Sequence, residues 1–224
     1  IMLAACLAGC GKGGGGSQTP GGSGAGSSPG NSGAGKDTLT VAFSSEPPSL
    51  TTCEHDSLIS VGFNMMTYNG LTRIDNATLE AVLDLASDYR VENDVDWIFT
   101  LKQGVKFHNG DELTADDVVA SLEAAKANPS SVNYTKNWQS IEAVDPYTVK
   151  ITTPQPYANV LEDLGFHFNW ILPKSLLDSG HNFNEEPVGT GPYKLVNWTS
   201  GTSLTFEAFD DYFDTERAAK IKNI

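Results

Sequence analysis

The stretch from Trp97 to Val119 constrains the fold most, because two strand-like runs are followed at once by a capped helix. In each run apolar residues alternate with polar ones, which is the pattern of half-buried strands. The alternating positions are Trp97, Phe99 and Leu101 in the first run and Val105 and Phe107 in the second. Because Lys102-Gln103-Gly104 separates the runs, the pattern predicts a hairpin.

A helix is predicted to begin directly after this hairpin. Thr114 stands at the N-cap position, and Asp117 three residues later completes a capping box. Asp116 and Asp117 also place negative charge in the first turn, where the helix dipole favours it. An apolar stripe continues to Ala125, and Asn128-Pro129 ends the helix.

Two blocks of the chain resemble a known family. Residues 99–119 (Phe-Thr-Leu-Lys-Gln-Gly-Val-Lys-Phe-His-Asn-Gly-Asp-Glu-Leu-Thr-Ala-Asp-Asp-Val-Val) resemble the signature of extracellular solute-binding proteins of peptide/nickel-type ABC transporters, family 5. Residues 187–195 (Pro-Val-Gly-Thr-Gly-Pro-Tyr-Lys-Leu) are similar to that family's second block. The resemblance runs from about Leu39 to the end, and it implies a two-lobed receptor that closes on a ligand, often an oligopeptide.

The order of helices and strands predicts an α/β protein with a mixed sheet, and the resemblance implies a periplasmic-binding-protein-like lobe. Residues 37–82 and 187–224 are interpreted as the main part of the first lobe. The resemblance implies an inserted α+β subdomain, placed at residues 83–186. Residues 218–224 alternate like a strand that is just beginning. We therefore interpret the sequence as a fragment whose second lobe is missing.

The first ten residues are interpreted as the remnant of a lipoprotein signal. They are apolar and uncharged, and too short to span a bilayer. Leu7-Ala8-Gly9-Cys10 resembles a bacterial lipobox, which predicts a lipid on Cys10 and a location outside the cytoplasm. The alternative is an ordinary signal segment in which this Cys stands by chance.

Residues 11–36 are predicted to form a disordered linker, because they hold 12 of the 22 glycines and almost no apolar side chain. A flexible coil of this length reaches about 28 Å, which suits a tether between a membrane and a folded domain. From Asp37 onward, 12 Lys and Arg stand against all 28 Asp and Glu, a net charge of −16. This excess of acid argues against nucleic-acid binding, which needs a basic surface.

Candidate ligand-binding residues follow the predicted first strand at Leu39, Val41 and Phe43. In the resembled family the loop after this strand borders the ligand cleft, so Ser44, Ser45 and Glu46 are the first candidates. Glu46 could pair with a cationic ligand group, or it could be a solvated loop acid.

Two aromatic residues, Tyr68 and Trp138, are further candidates, since ligand pockets combine apolar walls with a few polar groups. Packing in the core is the favoured interpretation of each, and ligand binding is the alternative. The same choice, between core packing and a Met-lined groove, applies to the helix predicted after Asp56 or Ser57, whose apolar residues lie nearly all round it.

Catalytic and metal sites find little support in the sequence. Asp116 and Asp117 project about 100° apart on a helix, and capping explains them. Cys53 would be the sole thiol after lipidation and has no recognisable His partner. The four histidines lack metal-site spacing, so no metal or cofactor is predicted, and nickel binding rests only on the family name.

The sequence therefore predicts a lipid-anchored, monomeric solute-binding protein without enzymatic activity. It would bind oligopeptides or dipeptides outside the membrane and deliver them to an ABC permease. The alternatives are nickel or another small solute for the same family, a surface lipoprotein peptidase, and a scaffold lipoprotein without a small ligand.

Overall fold

The computed structural model describes residues 37–52 and 57–224, which belong to one compact unit. The predicted lipobox with Cys10, the predicted linker and Cys53 lie outside the described residues. The helices are α1 (Leu58–Thr67), α2 (Ala115–Ala127), α3 (Val132–Thr135), α4 (Val160–Leu164) and α5 (Lys174–Ser179). The strands are β1 (Thr72–Ile74), β2 (Ala81–Leu83), β3 (Ala86–Glu92), β4 (Asp96–Leu101), β5 (Ser140–Asp145), β6 (Thr148–Thr152), β7 (Tyr193–Thr199) and β8 (Ser203–Ala208). No helix among the described residues is long and apolar enough to cross a membrane.

The largest sheet is antiparallel and has the strand order β3-β4-β6-β5. Phe99 on β4 pairs with Val149 on β6, and both side chains are fully buried. Helix α2 packs on this sheet and buries Val118 and Leu122 against it. Burial of this apolar face stabilises the unit, since each buried side chain of this size contributes about 1.5–3 kcal/mol.

This sheet and helices α2 to α5 all lie between residues 86 and 179, inside the predicted subdomain of residues 83–186. A single cluster of buried apolar side chains nevertheless includes Tyr68, Leu71 and Val188 from outside that range. The subdomain and the rest of the unit therefore share one core. The exact subdomain boundaries remain a prediction.

Strands β7 and β8 form a separate two-stranded antiparallel sheet. Their hairpin turns at Ser200-Gly201, and Gly201 has a φ of +69° that favours glycine. Asn223 bridges to Glu207 of β8 in antiparallel fashion and to Thr38 in parallel fashion. The predicted α/β fold is thus confirmed, and the parallel contact among the described strands is limited to this isolated bridge. Leu50, Phe63 and Phe206 form the core beneath this sheet.

The predicted first strand is wrong beyond this bridge. Leu39 donates its backbone N–H to Asn223 O at 2.9 Å, but no strand is assigned at residues 39–43. Leu39, Val41 and Phe43 are 41 %, 51 % and 57 % exposed. The alternation is present in the sequence, but apolar alternation yields a strand only where a neighbouring chain supplies backbone partners.

The predicted hairpin between residues 97–101 and 105–107 is also wrong. Strand β4 pairs with β3 and β6, and not with the second run. The second run bends back on residues 111–113, where Leu113 donates to Val105 O and Phe107 donates to Asp111 O, both at 2.8 Å. Val105 and Phe107 are fully buried, so their alternation reflects core packing and not a strand.

Helix α2 begins as predicted, with Thr114 at the N-cap and a capping box to Asp117. One carboxylate oxygen of Asp117 accepts from Thr114 N at 2.8 Å, and the other accepts from Lys174 N at 2.8 Å. Helix α1 differs from the expectation of burial on all sides. Leu58 is 82 % exposed and Met65 is 51 % exposed, so only one face of α1 is packed.

Candidate ligand groove

A groove of about 650 Å³ lies between the chain segment before Pro48 and the β8 side of the hairpin. The predicted loop residues Ser44, Ser45 and Glu46 all line it. Its lining consists of residues 38–41 and 43–47, Phe63, residues 201–206, Asn223 and Ile224. The groove therefore forms at the loop that the sequence pointed to, although the predicted strand before that loop is not formed.

Aromatic rings form the floor of the groove. Phe63 of α1 stacks on Phe206 of β8 with ring centroids 5.8 Å apart and planes 11° apart. Phe43 contacts the other side of Phe63 at 5.0 Å in a tilted arrangement. Phe206 is buried, whereas Phe43 is more than half exposed. Phe63 is also buried, at 8 % exposed, so Phe43 is the ring that offers apolar surface for a ligand to cover.

Hydroxyl and amide groups dominate the polar part of the lining. Glu46 is the only charged side chain among the described residues that line the groove. The polar neutral members are Thr38, Thr40, Ser44, Ser45, Thr202, Ser203, Thr205 and Asn223. Such groups donate and accept hydrogen bonds without selecting a charge, so the lining suits a neutral polar ligand or a peptide backbone.

The Glu46 carboxylate holds the loop against the β7–β8 turn. It accepts from Gly201 N at 2.8 Å, from Ser200 Oγ at 3.0 Å and from Trp198 Nε1 at 3.4 Å. The Gly201 N–H, followed by the Ser200 hydroxyl, lowers the pKa of Glu46 below its usual value. Glu46 is exposed and ionised at neutral pH, and its visible partners belong to the protein itself.

The other two aromatic candidates lie in the core and do not line the groove. Tyr68 is 2 % exposed, donates its hydroxyl to Leu50 O at 3.2 Å and stacks on Trp170 at 6.2 Å. This burial raises the pKa of the Tyr68 hydroxyl. Trp138 is 3 % exposed within the main cluster. Both rings are packing residues in this structure, and a ligand does not reach them.

The two sequence blocks that carry the family resemblance meet at residues 189–191. Gly191 donates its N–H to Thr67 O at the end of α1, at 2.8 Å. A Cβ on Gly189 would lie 2.2 Å from Thr67 O, and one on Gly191 would lie 2.4 Å from Met66 O. Only glycine permits this backbone contact, which fixes the segment against the helix that carries Phe63.

His108, from the first block, binds the same segment. Its backbone N–H donates to Gly189 O at 2.8 Å, and its ring Nε2 lies 2.9 Å from Gly191 O. Nδ1 lies 3.4 Å from Gly189 N and accepts from it, so the ring carries its proton on Nε2. Burial lowers the pKa of His108 to about 4; the bond to Gly191 O opposes the shift, and the charge of Lys194 adds to it. The ring is therefore neutral at pH 7.

A buried polar network extends from the same segment. Thr190 donates to Asn69 Oδ1 at 3.1 Å, and Asn69 donates to Asp84 Oδ2 at 2.8 Å. Arg217 pairs with the other oxygen of Asp84 and also donates to Asp214 Oδ2 at 2.6 Å. Sequence reasoning missed this network because Asp84 and Arg217 are 133 positions apart and neither belongs to a local motif.

The described residues contain no candidate metal site. Within residues 37–52 and 57–224, no group of three or more His, Cys, Asp or Glu side chains is placed to hold a metal ion.

The family match includes both of the converging blocks in full. Residues 80–224 match the family model for bacterial extracellular solute-binding proteins, family 5, middle part. The chain belongs to this family. The resemblance read from residues 99–119 and 187–195 is thus confirmed. Family 5 proteins bind substrates and are not catalytic.

Among curated relatives, the chain is similar to the glutathione-binding protein GsiB of Salmonella paratyphi A. The two are 33 % identical over 181 residues, which cover 78 % of this chain and 35 % of GsiB. The transcriptional regulator SgrR of Escherichia coli K12 is 34 % identical over 146 residues, which cover 65 % of this chain and 25 % of SgrR. The chain thus spans about a third or less of these relatives.

Solved structures of family 5 proteins share the fold. NikZ from Campylobacter jejuni, in complex with Ni(L-His), superposes with a TM-score of 0.70 at 33 % identity, covering 84 % of this chain and 38 % of NikZ. The oligopeptide-binding protein AppA from Bacillus subtilis, in complex with a nonapeptide, gives a TM-score of 0.67 at 28 % identity, covering 75 % and 36 %. Their bound ligands differ, so family membership alone does not select one.

Proposed function

We propose that this chain belongs to a substrate-binding protein of an ABC importer that binds oligopeptides or dipeptides outside the membrane and delivers them to the permease. The single observation that carries the proposal is the groove at Ser44 to Glu46, whose lining combines apolar side chains with neutral polar ones and a single carboxylate, Glu46. Ligand binding would stabilise a closed arrangement of two lobes in the protein that carries both.

The chemistry of the groove supports a peptide ligand. An extended peptide presents a row of backbone N–H and C=O groups, which neutral hydroxyl and amide side chains can satisfy. The exposed ring of Phe43, which packs on the buried Phe63, can contact apolar side chains of varied shape. Because no Lys or Arg lines the described groove, a ligand held mainly through its carboxylate groups fits it less well.

Filling the groove tests the proposal. We expect Ser44→Trp, which places a large ring in the lining, to weaken peptide binding by about tenfold or more, or about 1.4 kcal/mol. The matched control is Ser179→Trp at the exposed end of α5, outside the groove. Isothermal titration calorimetry with a peptide mixture would compare the two variants. Equal affinity of both variants would refute this site.

The membrane anchor is a separate part of the proposal. Lipid attached at Cys10 would hold the protein at the outer face of the membrane, since two or more acyl chains anchor stably. The variant Cys10→Ser should appear in the soluble fraction, whereas Cys6→Ser should stay with membranes. Persistent membrane association of Cys10→Ser would argue against lipidation there.

We expect the folded protein to be a monomer, which sedimentation can measure.

A second candidate ligand is a small solute such as a metal–amino-acid complex. The similarity to NikZ in complex with Ni(L-His) favours it. Titration with nickel and histidine together, compared with histidine alone, distinguishes the two ligand classes. Binding that requires nickel, with no response to peptides, would replace peptide by this solute class.

A further inference from the structure

The junction of residues 107–110 with residues 189–191 depends on a histidine that must be neutral. The ring of His108 donates from Nε2 to Gly191 O and accepts at Nδ1 from Gly189 N. The edge of the ring also contacts Phe209, with centroids 4.9 Å apart at 75°. Both ring nitrogens therefore form hydrogen bonds, Nε2 as the donor and Nδ1 as the acceptor.

Protonation of this ring would remove one bond and create a repulsive contact. A charged imidazole has two N–H donors and no acceptor, so Nδ1–H would face the N–H of Gly189. The ring is also largely buried, and charging a buried group without a partner is unfavourable. Both effects weaken the contacts between the His108 ring and residues 189–191.

The charged groups on the surrounding elements do not offset that charge. On β7, Lys194 forms an ion pair with Glu207 at 2.9 Å. Lys106, on the histidine's own segment, pairs with Asp211 at 2.9 Å, next to Asp210 on the segment that carries Phe209. Asp111 accepts from Asn109 Nδ2 at 2.7 Å and from Ser175 Oγ at 3.3 Å. The carboxylates of Glu207, Asp211 and Asp111 thus have other partners.

We propose that His108 is an acid-sensitive latch: protonation of its imidazole releases the turn of residues 107–110 from residues 189–191 while the rest of the unit stays folded. The pKa of the ring is lower in the latched state than in the unlatched state. The neutral ring therefore stabilises the latch fully at pH values above the unlatched pKa of about 6.5. That stabilisation is lost as the pH falls from 6.5 towards 4. The opening equilibrium constant then rises on the order of 100-fold between pH 7 and pH 4.

Opening of the latch would also loosen the lining of the groove, and this consequence rests on the proposed function. Gly191 also donates to Thr67 O at the end of α1, and α1 carries Phe63 in the groove floor. Loosening this segment would therefore release a ligand in acid. The latch itself does not depend on what the groove binds, so the two ideas fail separately.

Two-dimensional NMR of this chain from pH 7 to pH 3.5 tests the latch. We expect the imidazole of His108 to titrate near pH 4. The protection of the Gly189 amide, corrected for intrinsic exchange, should fall at least tenfold in an acid step between pH 6.5 and pH 4. The variant His108→Asn keeps a donor and an acceptor but does not titrate, so its Gly189 protection should stay level. The control His181→Asn, at an exposed ring, should retain the step.

Three results would overturn the latch. One is titration of His108 near pH 6.5, and another is Gly189 protection that does not change across the step. The third is loss of the far-ultraviolet circular dichroism signal in the same transition, because the histidine would then take part in global acid unfolding and not in a local opening. A further variant, Lys194→Gln, should raise the titration midpoint of His108, because it removes a nearby positive charge.

Discussion

Gly189 and Gly191 carry the tightest residue-scale constraint in the structure, because they touch the backbone at the end of α1. A single added methyl group has no room at either position. At Gly189 it would also lie 2.5 Å from the Tyr68 ring. The contacts involve backbone atoms, which cannot move aside as a flexible side chain can.

We expect Gly189→Ala to destabilise the fold by about 3 kcal/mol or more, because backbone atoms must shift to admit the methyl group. The matched control is Gly62→Ala on the exposed side of α1, where nothing lies within 4 Å of the new Cβ. That change should stabilise the helix by about 0.5–1 kcal/mol. Urea unfolding of both variants measures the difference, and a Gly189→Ala variant as stable as the parent would contradict this packing.

The ion pair of Asp84 and Arg217 provides a second residue-scale prediction. Asp84 is 2 % exposed, so removing its partner leaves a buried carboxylate unpaired. Arg217→Met should cost about 3 kcal/mol of unfolding free energy. With Asp84→Asn already present, the same change should cost much less, which a double-mutant cycle detects. The control Arg90→Met, in the exposed pair with Glu92, should cost about 0.5 kcal/mol or less.

Single positions were only partly predictable from sequence. The loop of Ser44 to Glu46 was identified from the sequence, because polar residues and prolines after an apolar run mark a loop whether or not that run forms a strand. This loop lines the groove. Tyr68 and Trp138 could not be assigned, since an aromatic ring suits a core and a ligand pocket equally well. Which of the two applies depends on surrounding elements that a single sequence does not show.

At the scale of elements, Asp117 links two helices. One of its oxygens caps α2 and the other accepts from Lys174 N at the start of α5. We expect Asp117→Ala to cost about 2 kcal/mol, since it removes a cap and a buried hydrogen bond together. Asp116→Ala, one residue earlier and exposed, should change stability by about 0.5 kcal/mol or less. Thermal unfolding compares them, and equal losses would show that capping does not distinguish the two residues.

Elements with local signals were predicted well. The capping box of Thr114 and Asp117 marks the start of α2, and Asn128-Pro129 marks its end. Errors arose where a partner lies far along the chain. The segments at residues 39–43 and 105–107 alternate like strands but do not form them. Strand β5 was not predicted, because it pairs only with β6 among the described strands and its exposed residues include the apolar Val144, which obscures the alternation.

At the scale of the whole molecule, family membership was readable because two long, ordered blocks converge on one junction. Ligand identity was not readable, since relatives of similar identity are described as binding glutathione or Ni(L-His). The chain also spans only about 35 % of GsiB.

Mass spectrometry of ligands that co-purify with the protein carrying this chain tests the central claim most directly. The protein would be isolated from its native host under non-denaturing conditions, and the released small molecules would be identified. Our account predicts a mixture of short peptides, depleted in the Ser44→Trp variant and retained in Ser179→Trp. Recovery of a nickel complex or another single solute without peptides would contradict it.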